Sequence, residues 1–185
     1  QNLIMQKKNS YRRDIDGLRA LAVLGVILYH SEILINKILI FSGGFLGVDI
    51  FFVISGYLIT SIIYKENKVK EFSFINFYIR RIRRLLPALL VVLFASLIFS
   101  YFLFLPVEFK SYLDSVISSI FFYSNFYFHY SGQAYGQTIL SSKPLLHTWS
   151  LAVEEQFYIL YPIFLIFSIY LLKKNIKFIF YLIIL

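Results

Sequence analysis

The sequence predicts an all-α, polytopic transmembrane helix bundle, and three observations carry that expectation. Hydrophobic residues make up 59% of the 185 residues and charged residues 15%, with a mean hydropathy of +0.72. Ordinary globular domains run about 45–50% apolar and about 25% charged, so soluble and disordered classes are excluded. The apolar residues also fall in blocks long enough to cross a bilayer and too long for a core of this size to bury. Finally, fifteen of the eighteen Lys and Arg gather in three patches at block edges. Lipid headgroups and the positive-inside bias account for the net charge of +8, and no nucleic-acid partner is expected. The chain has no cysteine, which rules out a disulfide framework, a thiol nucleophile and a thiolate metal site.

Residues 1–16 read as a basic cytoplasmic tail, and residues 17–185 as membrane domain. The first apolar block, Ala20 to Ile35, follows a charge arrangement like that of a signal peptide. No small-residue cleavage site comes after it, so it reads as a retained transmembrane helix. The second block runs from Phe45 to Tyr64. The basic stretch after it holds Lys65, Lys68, Lys70, Arg80, Arg81, Arg83 and Arg84. Within that stretch, Phe72 to Leu86 repeats its apolar residues at helical spacing, which suits an interfacial amphipathic helix. The third block, Leu85 to Leu105, takes Pro87 in its first turns, where proline is tolerated, and Pro106 ends it. Tyr112 to Tyr130 is less apolar, and a polar loop, Ser131 to Lys143, follows. The longest block, Thr148 to Leu172, ends at Lys173, Lys174 and Lys177. Another apolar segment starts at Phe178, and both ends of the chain read as cut from something longer.

Placing the three basic patches in the cytoplasm sets the orientation, with the N-terminus inside. The first helix then goes out, the second returns, the third goes out and the Thr148 helix comes back. Tyr112–Tyr130 therefore cannot be a simple crossing and is expected to form a re-entrant or interfacial hairpin on the outer side. Its polar residues, Asp114 and Asn125 among them, require protein or a cavity around them.

Three constellations can carry chemistry. Arg19 and His30 are eleven residues apart, which puts them on one face of a helix about 16 Å apart. In this orientation Arg19 lies near the cytoplasmic boundary and His30 beyond the midplane. A histidine at that depth either packs across the bundle or serves as a general base, neutral imidazole accepting a hydroxyl proton. Second, Arg80 and Arg83, and Arg81 and Arg84, are each one turn apart. Their guanidinium groups either anchor topology or bind phosphate oxygens bidentately. Third, the run PLLHTWSLAVEEQFYILYP, Pro144 to Pro162, opens on His147, offers Ser150 as a helix cap, and sets Glu154 and Glu155 in the first turns. A carboxylate there can orient a histidine from another helix or act as acid or base.

Weaker features surround these. Gly44, Gly47 and Gly56 suit close helix approach, Asp49 caps or joins the polar cluster, and His129 and most tyrosines sit at the membrane interface. No Walker-type loop, zinc-ligand spacing or dinucleotide fingerprint appears, so neither a metal nor a bound cofactor is expected.

Four runs in order, YRRDIDGLRALAVLGVILYH, GGFLGVDIFFVISGYLI, FYIRRIRRLLPAL and PLLHTWSLAVEEQFYILYP, resemble the acyltransferase 3 family of membrane-bound acyltransferases. The family's domain has about ten bilayer-length helices, so the resemblance implies a chain truncated near half of it, with the remaining C-terminal helices as partners. It implies transfer of an acyl group, usually acetyl, from cytoplasmic acyl-coenzyme A to a carbohydrate hydroxyl beyond the membrane, as in O-antigen of lipopolysaccharide, exopolysaccharide or peptidoglycan. The membrane would be the bacterial inner membrane. The family's arginine–histidine pattern falls on Arg19 and His30, its paired arginines on Arg81 and Arg84, and its WSL-VEEQFY signature points to Glu154. His30 and Glu154 are then the catalytic pair; Arg19, Arg81, Arg84 and His147 are expected to bind substrate. A transporter or channel with an Arg/His/Glu-lined pathway is the alternative.

Overall fold

The computed structural model describes residues 12–31, 33–35, 38–39, 41–69, 71–131 and 143–171. Several expectations lie outside the described residues: the tail before Arg12, Glu32, Lys37, Lys70, the polar loop between Ser131 and Lys143, and the basic patch and apolar segment after Leu171. The chain divides within one helix into two units, Gln1–Leu58 and Ile59–Leu185.

In the first unit, α1 (Arg13–His30) opens with Asp14 and Asp16 in its first turn, where the helix dipole favours negative charge. Arg12, just before it, forks onto the Asp14 carboxylate through Nε (2.9 Å) and Nη2 (2.6 Å). Its Nη1 donates to the Tyr57 hydroxyl at 3.1 Å. The helix ends at His30, with the Ser31 hydroxyl donating back to the Leu28 carbonyl at 2.7 Å. The apolar block does not continue as helix to Ile35. Instead β1 (Leu34–Ile35) and β2 (Ile38–Leu39) pair antiparallel, Leu34 with Leu39 and Ile35 with Ile38. Ile35 and Ile38 are β-branched, which favours strand over helix here.

A series of tight turns over residues 41–45 then feeds α2 (Leu46–Lys68), and the glycines there explain how α1 and α2 meet. A Cβ on Gly44 would stand 2.1 Å from the Gly25 carbonyl oxygen, and one on Gly47 would stand 2.5 Å from that of Ala22. Only glycine permits this approach, the small-residue packing expected of membrane helices. Gly44→Ala should therefore destabilise the protein by about 1–3 kcal/mol, the usual range for overpacking. Gly43→Ala, whose Cβ meets nothing within 4 Å, should be close to neutral. Denaturation midpoints of the two variants in detergent check this; equal midpoints would mean that α1 gives way without cost.

The second unit holds the rest of α2 and four further helices. The Ser73 side chain caps α3 (Phe74–Leu103), accepting from the Asn76 N–H at 3.4 Å. The interfacial helix and the third apolar block are one continuous helix. Pro87 lies well inside it and not in its first turns, so the Arg83 carbonyl loses its usual backbone donor. Pro106 starts α4 (Pro106–Ile120), where its missing N–H is harmless, and Glu108 accepts from the Leu105 N–H at 3.0 Å.

The hairpin expected around Tyr112–Tyr130 is present as α4 and α5 (Ser124–Ser131). The turn between them is a Schellman arrangement: the Tyr123 N–H donates to the Ser118 carbonyl at 2.9 Å and the Phe122 N–H to that of Ser119 at 3.3 Å. Phe122 takes the left-handed φ of 53° that usually calls for glycine. Gln156 holds it there, its Nε2 donating to the Phe122 carbonyl at 2.7 Å and to Asn125 Oδ1 at 3.0 Å. Ser115, Ser118, Ser119, Ser124 and Thr148 are buried between these helices, their hydroxyls bonded to carbonyls or to each other. Asn125 is thus held by protein, as its polarity demands.

Finally α6 (Thr148–Leu171) starts where the sequence places it. Ser150 is not its cap: the helix already includes it, and its hydroxyl donates to the His147 carbonyl at 3.2 Å. Lys143, buried just before α6, donates to the Ser131 hydroxyl at 2.9 Å and faces the rings of Tyr127 and Phe128. Burial pulls its ammonium below the usual lysine range. Among the described residues, three helices are long and apolar enough to cross a membrane: α2, α3 and α6 over Thr148–Tyr170. Arg13, Asp14, Asp16 and Arg19 leave α1 apolar only from Ala20 onward. The chain is a helical membrane protein.

Candidate active site

In the first unit, α1 runs unbroken through Arg19 and His30, so the two share a face as the spacing requires. Their register against α2 is set by the glycines. The glycine contacts set Ala22 opposite Gly47 and Gly25 opposite Gly44, while Arg12 reaches Tyr57. That antiparallel register brings Arg19 beside the first turns of α2, and carries His30 past the point where α2 begins. His30 is exposed at the helix end, its ring edge-on to Tyr29 at 5.2 Å. Asp49, exposed in the first turn of α2, sits where a helix N-terminus welcomes a carboxylate.

In the second unit, two constellations that the sequence sets apart meet on one side chain. Tyr158 is only 5% exposed and packs with Ile59, Ile63, Phe77 and Leu165. The Arg81 guanidinium lies over its ring at 4.5 Å from the centroid, and over the Phe77 ring at 5.6 Å. At the other end of the same ring, the Tyr158 hydroxyl donates to Glu154 Oε1. Glu155, next to it and half-buried, lies within the electrostatic reach of Glu154 and Arg81. Glu154 and Glu155 are the seventh and eighth residues of α6, beyond its first turn, so helix capping does not account for them.

The arginine cluster splits. Arg80 pairs with Glu66, Nη2 to Oε1 at 2.8 Å, a half-exposed ion pair of small energetic weight. Arg83 and Arg84 are exposed, whereas Arg81 is half-buried against the aromatic rings. The Arg81–Arg84 pair is therefore asymmetric, one member fixed and one open. His147 is exposed in the turn before α6. Tyr158 is the residue that sequence reading passes over as one more interface tyrosine. Its spacing of four from Glu154 on one helix is the signal that could have found it.

Arg81 and Glu154 thus gather on a buried tyrosine between the apolar helices α3 and α6, in a chain whose helices mark it as a membrane protein. A profile of the family described as acyltransferase domain matches residues 12–185. The chain belongs to this family, the acyltransferase 3 family, as its four motifs imply. It is 44% identical over 167 residues to "Putative peptidoglycan O-acetyltransferase YrhL" of Bacillus subtilis (strain 168), covering 89% of this chain and 25% of that protein. It is 43% identical over 167 residues to "Peptidoglycan O-acetyltransferase OatA" of Listeria monocytogenes serovar 1/2a (strain ATCC BAA-679 / EGD-e), covering 88% of this chain and 26% of that one. The chain thus spans about a quarter of the length of these relatives. No solved structure matches it.

Proposed function

We propose that this chain is the N-terminal part of a multi-pass acyltransferase domain in the bacterial inner membrane, with its N-terminus in the cytoplasm. The enzyme takes an acetyl group from cytoplasmic acetyl-coenzyme A and delivers it to a carbohydrate hydroxyl outside. The names of the relatives favour peptidoglycan over lipopolysaccharide or exopolysaccharide as the acceptor. The observation that carries the reading is the Arg81 guanidinium held between the rings of Tyr158 and Phe77. A fixed guanidinium beside an open one, Arg84, suits the bidentate capture of phosphate groups such as those of coenzyme A.

In the chemical step the acceptor hydroxyl oxygen forms a bond to the thioester carbonyl carbon, and the carbon–sulfur bond breaks. His30 takes the hydroxyl proton as general base, and the proton ends on the departing thiolate. Glu154 orients or charge-balances the imidazole, while Arg19 and His147 contribute to substrate binding. The basic patches, inside by the positive-inside bias, set the orientation.

The test is binding of labelled acetyl-coenzyme A to the full-length protein in liposomes, wild type beside Arg81→Ala. Saturable binding weakened at least about tenfold, the worth of one charge-assisted contact, is expected in the variant. No binding at any concentration would overturn the reading and favour transport.

A further inference from the structure

We infer that Tyr158 is a positioning residue that couples the donor-binding guanidinium of Arg81 to the carboxylate of Glu154. The inference rests on the reading above and adds a residue and a division of labour to it. One aromatic side chain offers two different surfaces. Its face carries the negative quadrupole that attracts a cation, and Arg81 occupies that face at 4.5 Å from the centroid. Its edge ends in a hydroxyl, and that hydroxyl donates to Glu154. Phenylalanine supplies only the first surface, and serine or threonine only a hydroxyl.

The ring is also held. Tyr158 is 5% exposed and wedged among Ile59, Ile63, Phe77 and Leu165, so it cannot swing away without opening the packing between α2, α3 and α6. Glu154 lies one helical turn before it on α6 and Arg81 on α3. The tyrosine is therefore the point at which two helices hand a cation and an anion to a common support. It fixes the guanidinium plane for phosphate and the carboxylate rotamer for its own partner.

The two surfaces predict separable kinetics in the full-length enzyme reconstituted in liposomes, with acetyl-coenzyme A varied and coenzyme A release measured. Tyr158→Phe keeps the ring, so KM for acetyl-coenzyme A should stay within about twofold while turnover falls about tenfold. Tyr158→Leu removes both surfaces and should raise that KM about tenfold, as is also expected of Arg81→Ala. In a Glu154→Gln background, Tyr158→Phe should have no further effect on turnover, a coupling that a merely structural tyrosine does not show. Normal turnover in Tyr158→Phe, or additive losses with Glu154→Gln, would overturn the hydroxyl arm even if the leucine variant fails to fold. If Arg81→Ala raises KM and a folded Tyr158→Leu does not, the ring arm is wrong and the donor site stands. An unchanged KM in Arg81→Ala itself would overturn the donor-site reading instead.

Discussion

Replacing His30 with alanine in the complete protein is expected to abolish acyl transfer while leaving membrane insertion intact. A positioned general base contributes about 10²–10⁴-fold, which corresponds to roughly 3–5 kcal/mol of barrier. The structure indicates why folding should survive the change. His30 is the last residue of α1, exposed, and its described ring contact is an edge-on approach to the adjacent Tyr29. The α1–α2 packing depends instead on Gly25, Gly44, Gly47 and Ala22, upstream of it on α1 or on the far side of the contact. Alanine is also the better helix former. Turnover measured beside the denaturation midpoint separates chemistry from stability: a collapsed rate at an unchanged midpoint is the expected pair. Normal turnover would return His30 to a packing or interfacial role and remove the general-base proposal.

Much of the fold is legible because membrane helices announce themselves by composition. Thr148 begins α6 and Leu46 begins α2 within a residue of where the apolar blocks start, while α2 runs on past Tyr64 through Lys65 to Lys68. The hairpin of α4 and α5 falls where charge counting leads one to expect it, in the less apolar, serine-rich stretch between the third and the longest apolar blocks. What composition does not show is register. Helix α1 looks like a crossing of ordinary length, yet its position against α2 is fixed by two glycines whose contacts are on the other helix. Pro87 looks like the start of a helix because Arg83 and Arg84 precede it, but Ser73 caps the helix much earlier and propagation carries through the proline.

The site is legible in its parts and not in its assembly. The residue types of Arg81, Glu154 and His30 stand out against apolar surroundings, where ionisable groups are rare. The meeting of Arg81 with Glu154 is invisible for a different reason. It runs through the ring of Tyr158, a residue type that occurs fifteen times in this chain. Apart from its spacing of four from Glu154, burial, which it shares with Tyr112, sets it off from interface tyrosines, and burial is a property of the packed helices. The partner of Arg80 is hidden in the same way: Glu66, on the preceding helix, pairs with it at 2.8 Å.

Glu154→Gln is expected to lower turnover by about ten- to a hundredfold with KM for acetyl-coenzyme A nearly unchanged. An amide oxygen still accepts the Tyr158 hydroxyl, so the ring and the Arg81 guanidinium over it keep their places. What disappears is the negative charge, and a charge-assisted hydrogen bond is about twice as strong as a neutral one. In an apolar helix, charge loss is felt more strongly than in water. If Glu154 balances an imidazolium formed during transfer, the loss falls on the chemical step alone, the signature of an interaction made in the transition state. Glu154→Ala should do more. It leaves the Tyr158 hydroxyl without this acceptor, at about 1–3 kcal/mol of stability, and loosens the ring that supports Arg81. A comparison of the two variants under the same assay therefore distinguishes charge from support. Full activity in Glu154→Gln with loss in Glu154→Ala would make the carboxylate an acceptor for Tyr158 and nothing more, leaving His30 without its proposed partner.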